Sequence, residues 1–311
     1  MSAAELVWCN GELVPAQEAV VPVLSHALHY GTGVFEGIRV YDTPRGPAAF
    51  RLTDHLDRLL RSARLYAMEV PFTREELRAG VDDVVRANGF SSCYVRPIVF
   101  CGAGTMTVSP RGASIETCIA AWEWGAYLGD EAADAGVRAL VSSWRRMSGD
   151  ALIPSAKATG QYLNSILARR EAERAGCDEA LMLDRRGMVS EGTGENVFLV
   201  CDGALVTPGT TSSILPGITR SSVIELAREL GHDVAERDVE RGELYAADEV
   251  FMTGTAVELV PIREIDGMAI GDGRPGPVTR RLQEALADAL RGRDECHLAW
   301  SEPVLHEAGA P

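Results

Sequence analysis

Ser155-Ala156-Lys157-Ala158-Thr159-Gly160-Gln161-Tyr162 places one lysine among small residues, just ahead of a segment with helical patterning. Little side-chain bulk crowds the amine, as expected where another group must be bonded to it. A lysine at a helix start is more commonly a solvated charge, so the surroundings have to decide. Ser190-Glu191-Gly192-Thr193-Gly194-Glu195-Asn196 offers a carboxylate flanked by glycines, and Pro216-Gly217-Ile218-Thr219-Arg220 opens a helix with bare amides and a hydroxyl. Taken singly, Glu191 reads as a hairpin turn residue and Thr219 as a helix N-cap, although free amides beside an N-cap can also seat an anion. Arg58, off the apolar stripe of its helix, reads as a solvated arginine. Their coincidence in one chain carries the weight.

The 311 residues are long for one core and comfortable for two domains. A composition 46% hydrophobic and 24% charged is that of an ordinary globular protein. The net charge of -15, without any run of lysine or arginine, excludes a nucleic-acid partner, because phosphate binding needs clustered cations. Met1-Ser2-Ala3-Ala4-Glu5-Leu6 is not a basic-then-apolar leader and no apolar stretch is long enough for a bilayer, so a cytoplasmic protein with no membrane partner is expected. The seven cysteines are scattered, never as C-x-x-C, and read as reduced thiols in apolar runs. His26 and His29 could share a helical face, but no acid or cysteine nearby completes a ligand set, so no metal is expected.

Elements alternate without a regular βαβ rhythm. Asn10-Gly11 between apolar segments predicts an opening hairpin over Leu6 to Val14. Leu56, Leu59, Leu60, Ala63 and Ala67 predict a helix over Thr53 to Met68, capped by Thr53 or Asp54. A second helix follows Pro71, with Thr73 and Glu76 as a capping box and Leu77, Val81, Val84 and Val85 inward, until Asn88-Gly89. Strands follow at Cys93 to Cys101 and Thr117 to Trp124. The small, glycine-bounded, acidic stretch 125–136 suits a connection between domains 1–124 and 137–311. Beyond it come a strand (Val137 to Ser142), a helix (Gln161 to Ala175), closely spaced strands through Val206, and helices over Thr219 to Leu230 and Pro277 to about Leu290.

An amine for an aldehyde, an acid for a ring nitrogen and a cradle for a phosphate are the three requirements of pyridoxal 5'-phosphate. The motifs that surround them are His26-Ala27-Leu28-His29-Tyr30-Gly31, Val34-Phe35-Glu36-Gly37-Ile38-Arg39, Tyr94-Val95-Arg96-Pro97, Trp124-Gly125-Ala126-Tyr127, Ala156-Lys157-Ala158, Ser190 to Asn196, Leu215 to Arg220 and Gly254-Thr255-Ala256. In this order, over nearly the whole chain, they resemble the branched-chain amino acid aminotransferases among the class IV (fold-type IV) pyridoxal phosphate enzymes. The resemblance implies an α+β fold of two domains, a small N-terminal α/β domain and a larger C-terminal cofactor-binding domain with a β-barrel-like sheet. It also implies amino acid and 2-oxo acid substrates, and a homodimer or hexamer in which a neighbouring subunit closes the pocket.

Carried over by motif, the resemblance makes Lys157 the catalytic residue, which bonds the cofactor and then moves the substrate's Cα proton. Glu191 pairs with the ring nitrogen and Tyr162 with the phenolic oxygen, while Arg58, Ile218, Thr219 and Thr255 hold the phosphate. Tyr30, Phe35, Tyr127 and Tyr162 wall an aliphatic side chain, whose burial is worth about 1.5 to 3 kcal/mol. Gly37 belongs to the same substrate set. Arg96 receives the side-chain carboxylate of glutamate, and Tyr94 with Thr255 and Ala256 fixes the α-carboxylate. Alternation along a strand puts Tyr94 and Arg96 on one side. Gly104-Thr105-Met106-Thr107-Val108-Ser109-Pro110 and Trp122-Glu123 depart from the family pattern. A D-amino acid or amine aminotransferase and an aminodeoxychorismate lyase share the fold, and a non-catalytic cofactor-binding protein is the reading from another class.

Overall fold

The computed structural model describes residues 4–125, 128 and 131–304. The chain forms two compact units, one from Met1–Trp124, Ala156–Gly160 and Asp288–Pro311, the other from Gly125–Ser155 and Gln161–Ala287. Sequence reading divides the chain once, over 125–136. The first unit in addition takes up the segment carrying Lys157 and the last stretch of the chain, because strand pairing far apart in sequence recruits both. Ser301–Pro303 pairs with Gly46–Phe50, and Val34 bridges Ala158.

The first unit is an eight-stranded antiparallel sheet running Ser301–Pro303, Gly46–Phe50, Ile38–Thr43, Cys93–Cys101, Ile115–Trp122, Leu6–Cys9, Glu12–Pro15, with Gly33–Phe35 also on Cys93–Cys101. The opening hairpin forms as expected, with Asn10 and Gly11 both at positive φ. Helices Leu52–Leu65 and Arg74–Ala87 lay their apolar stripes on the sheet. Leu56, Leu59, Ala63, Leu77, Val81, Val84 and Val85 are all buried in one core with strand residues Val40, Val95 and Ile119. At Gly80 an added Cβ would lie 3.0 Å from Trp8 and Ile119, so a glycine lets this helix approach closely.

Two local expectations change. The first helix begins at Leu52 behind Arg51, which is left-handed (φ 50), and no side chain caps it. Thr53 instead turns its hydroxyl to Glu302, 2.8 Å away, and so is withdrawn from capping. Arg58 is not solvated: it is 5% exposed, because a buried carboxylate partner is waiting for it.

The second unit carries another eight-stranded sheet, ordered Val234–Arg237, Ala204–Pro208, Asn196–Cys201, Glu249–Gly254, Glu258–Ile265, Val137–Val141, Glu179–Leu181, with Met268–Ala269 beside Glu258–Ile265. Its ends meet. Leu183 bridges Val189, Met188 bridges Glu240 and the Val189 amide donates to Val239, so the chain after one edge strand joins the chain after the other. This closure gives the sheet its barrel-like character. Helix Tyr162–Arg174 packs Ala168 and Ala172 on Ala180 and Met182, and helix Ile218–Glu229 buries Val223, Ile224, Leu226 and Ala227. Of the 125–136 connection, Gly125, Leu128 and residues from 131 on are described, including a short helix Ala132–Ala135. Among the described residues no helix is long and apolar enough to cross a membrane.

Helix Arg74–Ala87 has both halves of its capping box, Thr73 Oγ1 accepting from the Glu76 amide and the Glu76 carboxylate accepting from the Thr73 amide. Thr73→Ala should therefore lower stability by about 1 kcal/mol in urea unfolding, and an unchanged midpoint would show that the box contributes nothing.

Candidate active site

In the first unit, Lys157 lies on a strand-like segment fastened by its backbone. The Phe35 amide donates to the Lys157 carbonyl (3.0 Å), the Lys157 amide donates to Ser62 Oγ (3.1 Å), and Thr159 Oγ1 donates to the Gly31 carbonyl (2.8 Å). Ala156 and Ala158 are buried, and Lys157 between them points the other way. Its Nζ stands 5.0 Å from the centroid of the Phe35 ring. Small neighbours are needed on both strands: a Cβ on Gly31, itself at φ +68, would fall 2.8 Å from the Gly160 Cα.

Beneath this segment sits a charged group to which sequence reading assigns no function. Glu36 is fully buried and bridges two partners, Arg58 Nε to Oε1 (2.6 Å) and Nη2 to Oε2 (2.9 Å), and His55 Nδ1 to Oε2 (2.7 Å). Burial pushes the Glu36 carboxyl up, but the Arg58 charge and the His55 ring outweigh it and hold it well below the usual carboxylate range. Burial pushes His55 down, assisted by the Arg58 and Lys157 charges and opposed by Glu36. A neutral His55 must carry its proton on Nδ1 to donate to this carboxylate. Arg58 is thus oriented through Nε and Nη2, bidentate on one acid.

Alongside lies an aromatic enclosure. The Arg96 guanidinium is 4.7 Å from the Phe35 ring, 5.3 Å from Tyr94 and 5.6 Å from Trp122, and its Nη2 lies 3.4 Å from the Tyr94 hydroxyl. Tyr94 rests against bare backbone, since a Cβ on Gly37 would lie 1.8 Å from its hydroxyl oxygen. Phe35, Gly37, Tyr94, Arg96 and Lys157 are therefore brought together. Tyr30 stands apart, 44% exposed, its hydroxyl donating to the Met106 carbonyl in the divergent 104–110 loop. His26, buried, bonds Thr32 and the Thr107 carbonyl and so holds that same loop.

In the second unit, Glu191 is 4% exposed and fully engaged. Arg146 Nη2 lies 2.8 Å from Oε1, and Asn196 Nδ2 and the Leu215 amide each donate to Oε2 at 3.0 Å. Asn196 also donates to the Leu215 carbonyl, which anchors the start of the Gly217 turn. That turn tolerates no side chain, because a Cβ on Gly217 would meet Asn196 Oδ1 at 2.0 Å. Helix Ile218–Glu229 then begins with no side chain capping it. Thr219 is buried in its first turn, Tyr162 opens its own helix half-buried, and Thr255 and Ala256 form the turn between Glu249–Gly254 and Glu258–Ile265. Tyr127 lies outside the described residues.

Arg146 and Asn196 were missed as partners of Glu191. Asn196 was visible at the end of the Glu191 motif, whereas Arg146 sits in a loop without periodic pattern. Next to them, Glu179 accepts from Thr193 Oγ1 (2.7 Å) and pairs with Arg169. Burial first, then the Glu179 charge, push Glu195 up to about 8.

The class IV amino-transferase family model matches residues 33–265, which contain Phe35, Glu36, Arg58, Arg96, Lys157 and Glu191. The chain belongs to the class IV aminotransferases. Within the family, a branched-chain-amino-acid aminotransferase of Salmonella typhimurium is 50% identical over 302 residues, 97% of this chain and 98% of that protein. The crystal structure of the Escherichia coli branched-chain amino acid aminotransferase superposes with a TM-score of 0.95 at 49% identity, covering 97% of this chain and all of that one. That of the Thermoproteus uzoniensis branched-chain aminotransferase with norvaline has a TM-score of 0.92 at 46% identity, covering 97% of this chain and 100% of that one. Family membership and the two-domain α+β fold thus agree with the resemblance.

Glu36, held below its ordinary 4.5, contributes stability that is fully present above that pH and is lost as pH falls. Glu36→Gln should cost roughly 3 kcal/mol in urea unfolding near pH 7, and the gap from the unsubstituted protein should narrow towards about pH 3.5. A gap independent of pH would contradict an ionised Glu36.

Proposed function

We propose that this chain is a pyridoxal-phosphate-dependent branched-chain-amino-acid aminotransferase, exchanging the amino group between L-leucine, L-isoleucine or L-valine and 2-oxoglutarate in two half-reactions through one pocket. The observation that carries the reading is the Lys157 amine 5.0 Å from the centroid of the Phe35 ring, with the Arg96 guanidinium 4.7 Å from the same centroid. The donor set suits the cofactor: an amine for its aldehyde, a buried carboxylate charge-balanced by Arg146 for its ring nitrogen, and an uncapped helix N-terminus with Thr219 for its phosphate. When bound, pyridoxal phosphate supplies an aldehyde that takes up the amino group and a ring that withdraws electrons from Cα.

Lys157 Nζ would hold the cofactor, and its amine, when free, would take the substrate's Cα proton as a general base and, as an acid, deliver it to the cofactor's aldehyde-derived carbon. Its backbone fastening limits the motion to the side chain. Glu191 would accept from the ring nitrogen; Arg146 and Asn196 keep its carboxylate in place. Tyr162 would donate to the phenolic oxygen. The residues that would hold the phosphate, as the resemblance implies, are Arg58, braced by Glu36, and Ile218, Thr219 and Thr255.

Phe35 buries the aliphatic side chain of the branched substrates. Arg96 receives the glutamate side-chain carboxylate, and the aromatic rings around it make it tolerable beside an apolar substrate, since a guanidinium stacked on π faces is partly satisfied when no carboxylate is present. Tyr94, set by bare Gly37, helps to fix the α-carboxylate with Thr255 and Ala256. The resemblance further gives Tyr30 and Tyr127 to the wall of the same pocket. Assembly as at least a homodimer is supported by apolar surface that a monomer would leave wet, Val20, Val23, Leu24 and Leu28 being 57–76% exposed. Seven thiols, none in a disulfide, suit the reducing cytoplasm.

Single-turnover absorbance should show the holoprotein converted to its pyridoxamine form by L-leucine and restored by 2-oxoglutarate, and a response to D-alanine in place of L-leucine would overturn the reading. Arg96→Leu should slow the L-glutamate half-reaction by roughly 10- to 100-fold, the loss of one charge-assisted contact, while L-leucine changes only a few-fold. Equal losses would reject the assignment of Arg96.

A further inference from the structure

Cys9 and Cys118 face one another across the antiparallel pairing of Leu6–Cys9 with Ile115–Trp122, directly opposite in register, with their Sγ atoms 3.0 Å apart. The neighbouring Asn10 amide donates to the Thr117 carbonyl, which makes Asn10–Thr117 a hydrogen-bonded pair. Cys9–Cys118 is then of the non-hydrogen-bonded kind, where opposed side chains come closest and the Cα separation of about 4.5 Å falls within the span a disulfide bridges. Both residues are partly exposed, unlike Cys93 and Cys101 in the core.

Both also line a cavity of about 340 Å³, separate from Lys157 and Arg96, whose wall includes Glu18, Ser25, Phe100 and Glu116. Ser25 is fully buried, and its hydroxyl has no partner among the described residues. Two carboxylates and no lysine or arginine border the space. Its field therefore opposes anions and favours cations.

We propose that Cys9 and Cys118 form a dithiol site for low-molecular-weight disulfides, with cationic and neutral disulfides preferred to anionic ones. One protein thiolate attacks a sulfur of the incoming disulfide, forming a mixed disulfide and releasing the first small thiolate, which takes up a proton. The second protein thiol loses its proton, attacks the protein-bound sulfur and expels the second small thiolate, closing Cys9–Cys118. Two protein thiols are oxidised by two electrons, and one disulfide is reduced to two thiols. The second step is intramolecular and its sulfurs already touch, so the mixed disulfide does not accumulate. Burial, and then the adjoining Cys9 thiol, push Cys118 up, so exchange accelerates as pH rises.

The test treats holoprotein with cystamine, hydroxyethyl disulfide or glutathione disulfide at equal concentration and follows intact mass and non-reducing peptide maps. The expected product has lost two hydrogens, links the Cys9 and Cys118 peptides, retains no adduct and reverts with dithiothreitol. Cystamine should react at least about tenfold faster than glutathione disulfide. Cys118→Ser should instead keep one small-thiol adduct on Cys9. An adduct that persists on either cysteine of the unsubstituted protein, or modification of exposed Cys296 without the Cys9–Cys118 link, would overturn the site. Equal rates for the three disulfides would overturn its charge preference.

Discussion

The strand-like fastening of Ala156–Gly160 onto Gly31–Phe35 is the constraint on which the rest depends. A lysine proposed as a covalent anchor and then a proton carrier needs a fixed Cα and a mobile amine. Hydrogen bonds of the segment to the Phe35 amide, the Ser62 hydroxyl and the Gly31 carbonyl supply the first, and an unbranched side chain over an aromatic face the second. The same contacts explain the composition of the segment. Alanines flank the lysine because they point into the core, and the Gly31–Gly160 approach leaves no room for a Cβ.

Around this anchor the molecule holds its functional charges indirectly. Arg58 takes its direction from Glu36, and Glu36 is kept ionised by Arg58 and His55. Glu191 takes its position from Arg146, Asn196 and the Leu215 amide. Each pair is buried, and a buried pair is poor evidence of net stabilisation because desolvation offsets most of the attraction. What such pairs do supply is orientation: a bidentate guanidinium or a thrice-held carboxylate has one geometry available. Arg96 is the exception, held by the faces of Phe35, Tyr94 and Trp122, a looser hold that suits the two unlike substrates proposed for it.

Local signals in the sequence were legible where one short stretch decides the outcome. Asn10-Gly11 gave the hairpin, Thr73 with Glu76 the capped helix, and Leu56, Leu59 and Ala63 the first helical face. Lys157 and Glu191 stood out because small residues surround them. What stayed hidden depends on residues distant in sequence. The Arg51 cap follows from Thr53 being drawn to Glu302, and the burial of Arg58 depends on a partner that lies between two strands ahead of the helix. Arg146 shows no signal in its own loop, only in the company of Glu191. The recruitment of 156–160 and the end of the chain into the first unit is a matter of strand pairing that composition does not encode.

Reduction of the holoprotein with borohydride, followed by proteolysis and peptide mapping, tests the central claim most directly. A single pyridoxyl-modified peptide with the modification on Lys157 is the predicted result. Lys157 is the only lysine of the chain, so a protein that takes up the cofactor yet yields no modified peptide, or modification confined to the N-terminal amine, would contradict it.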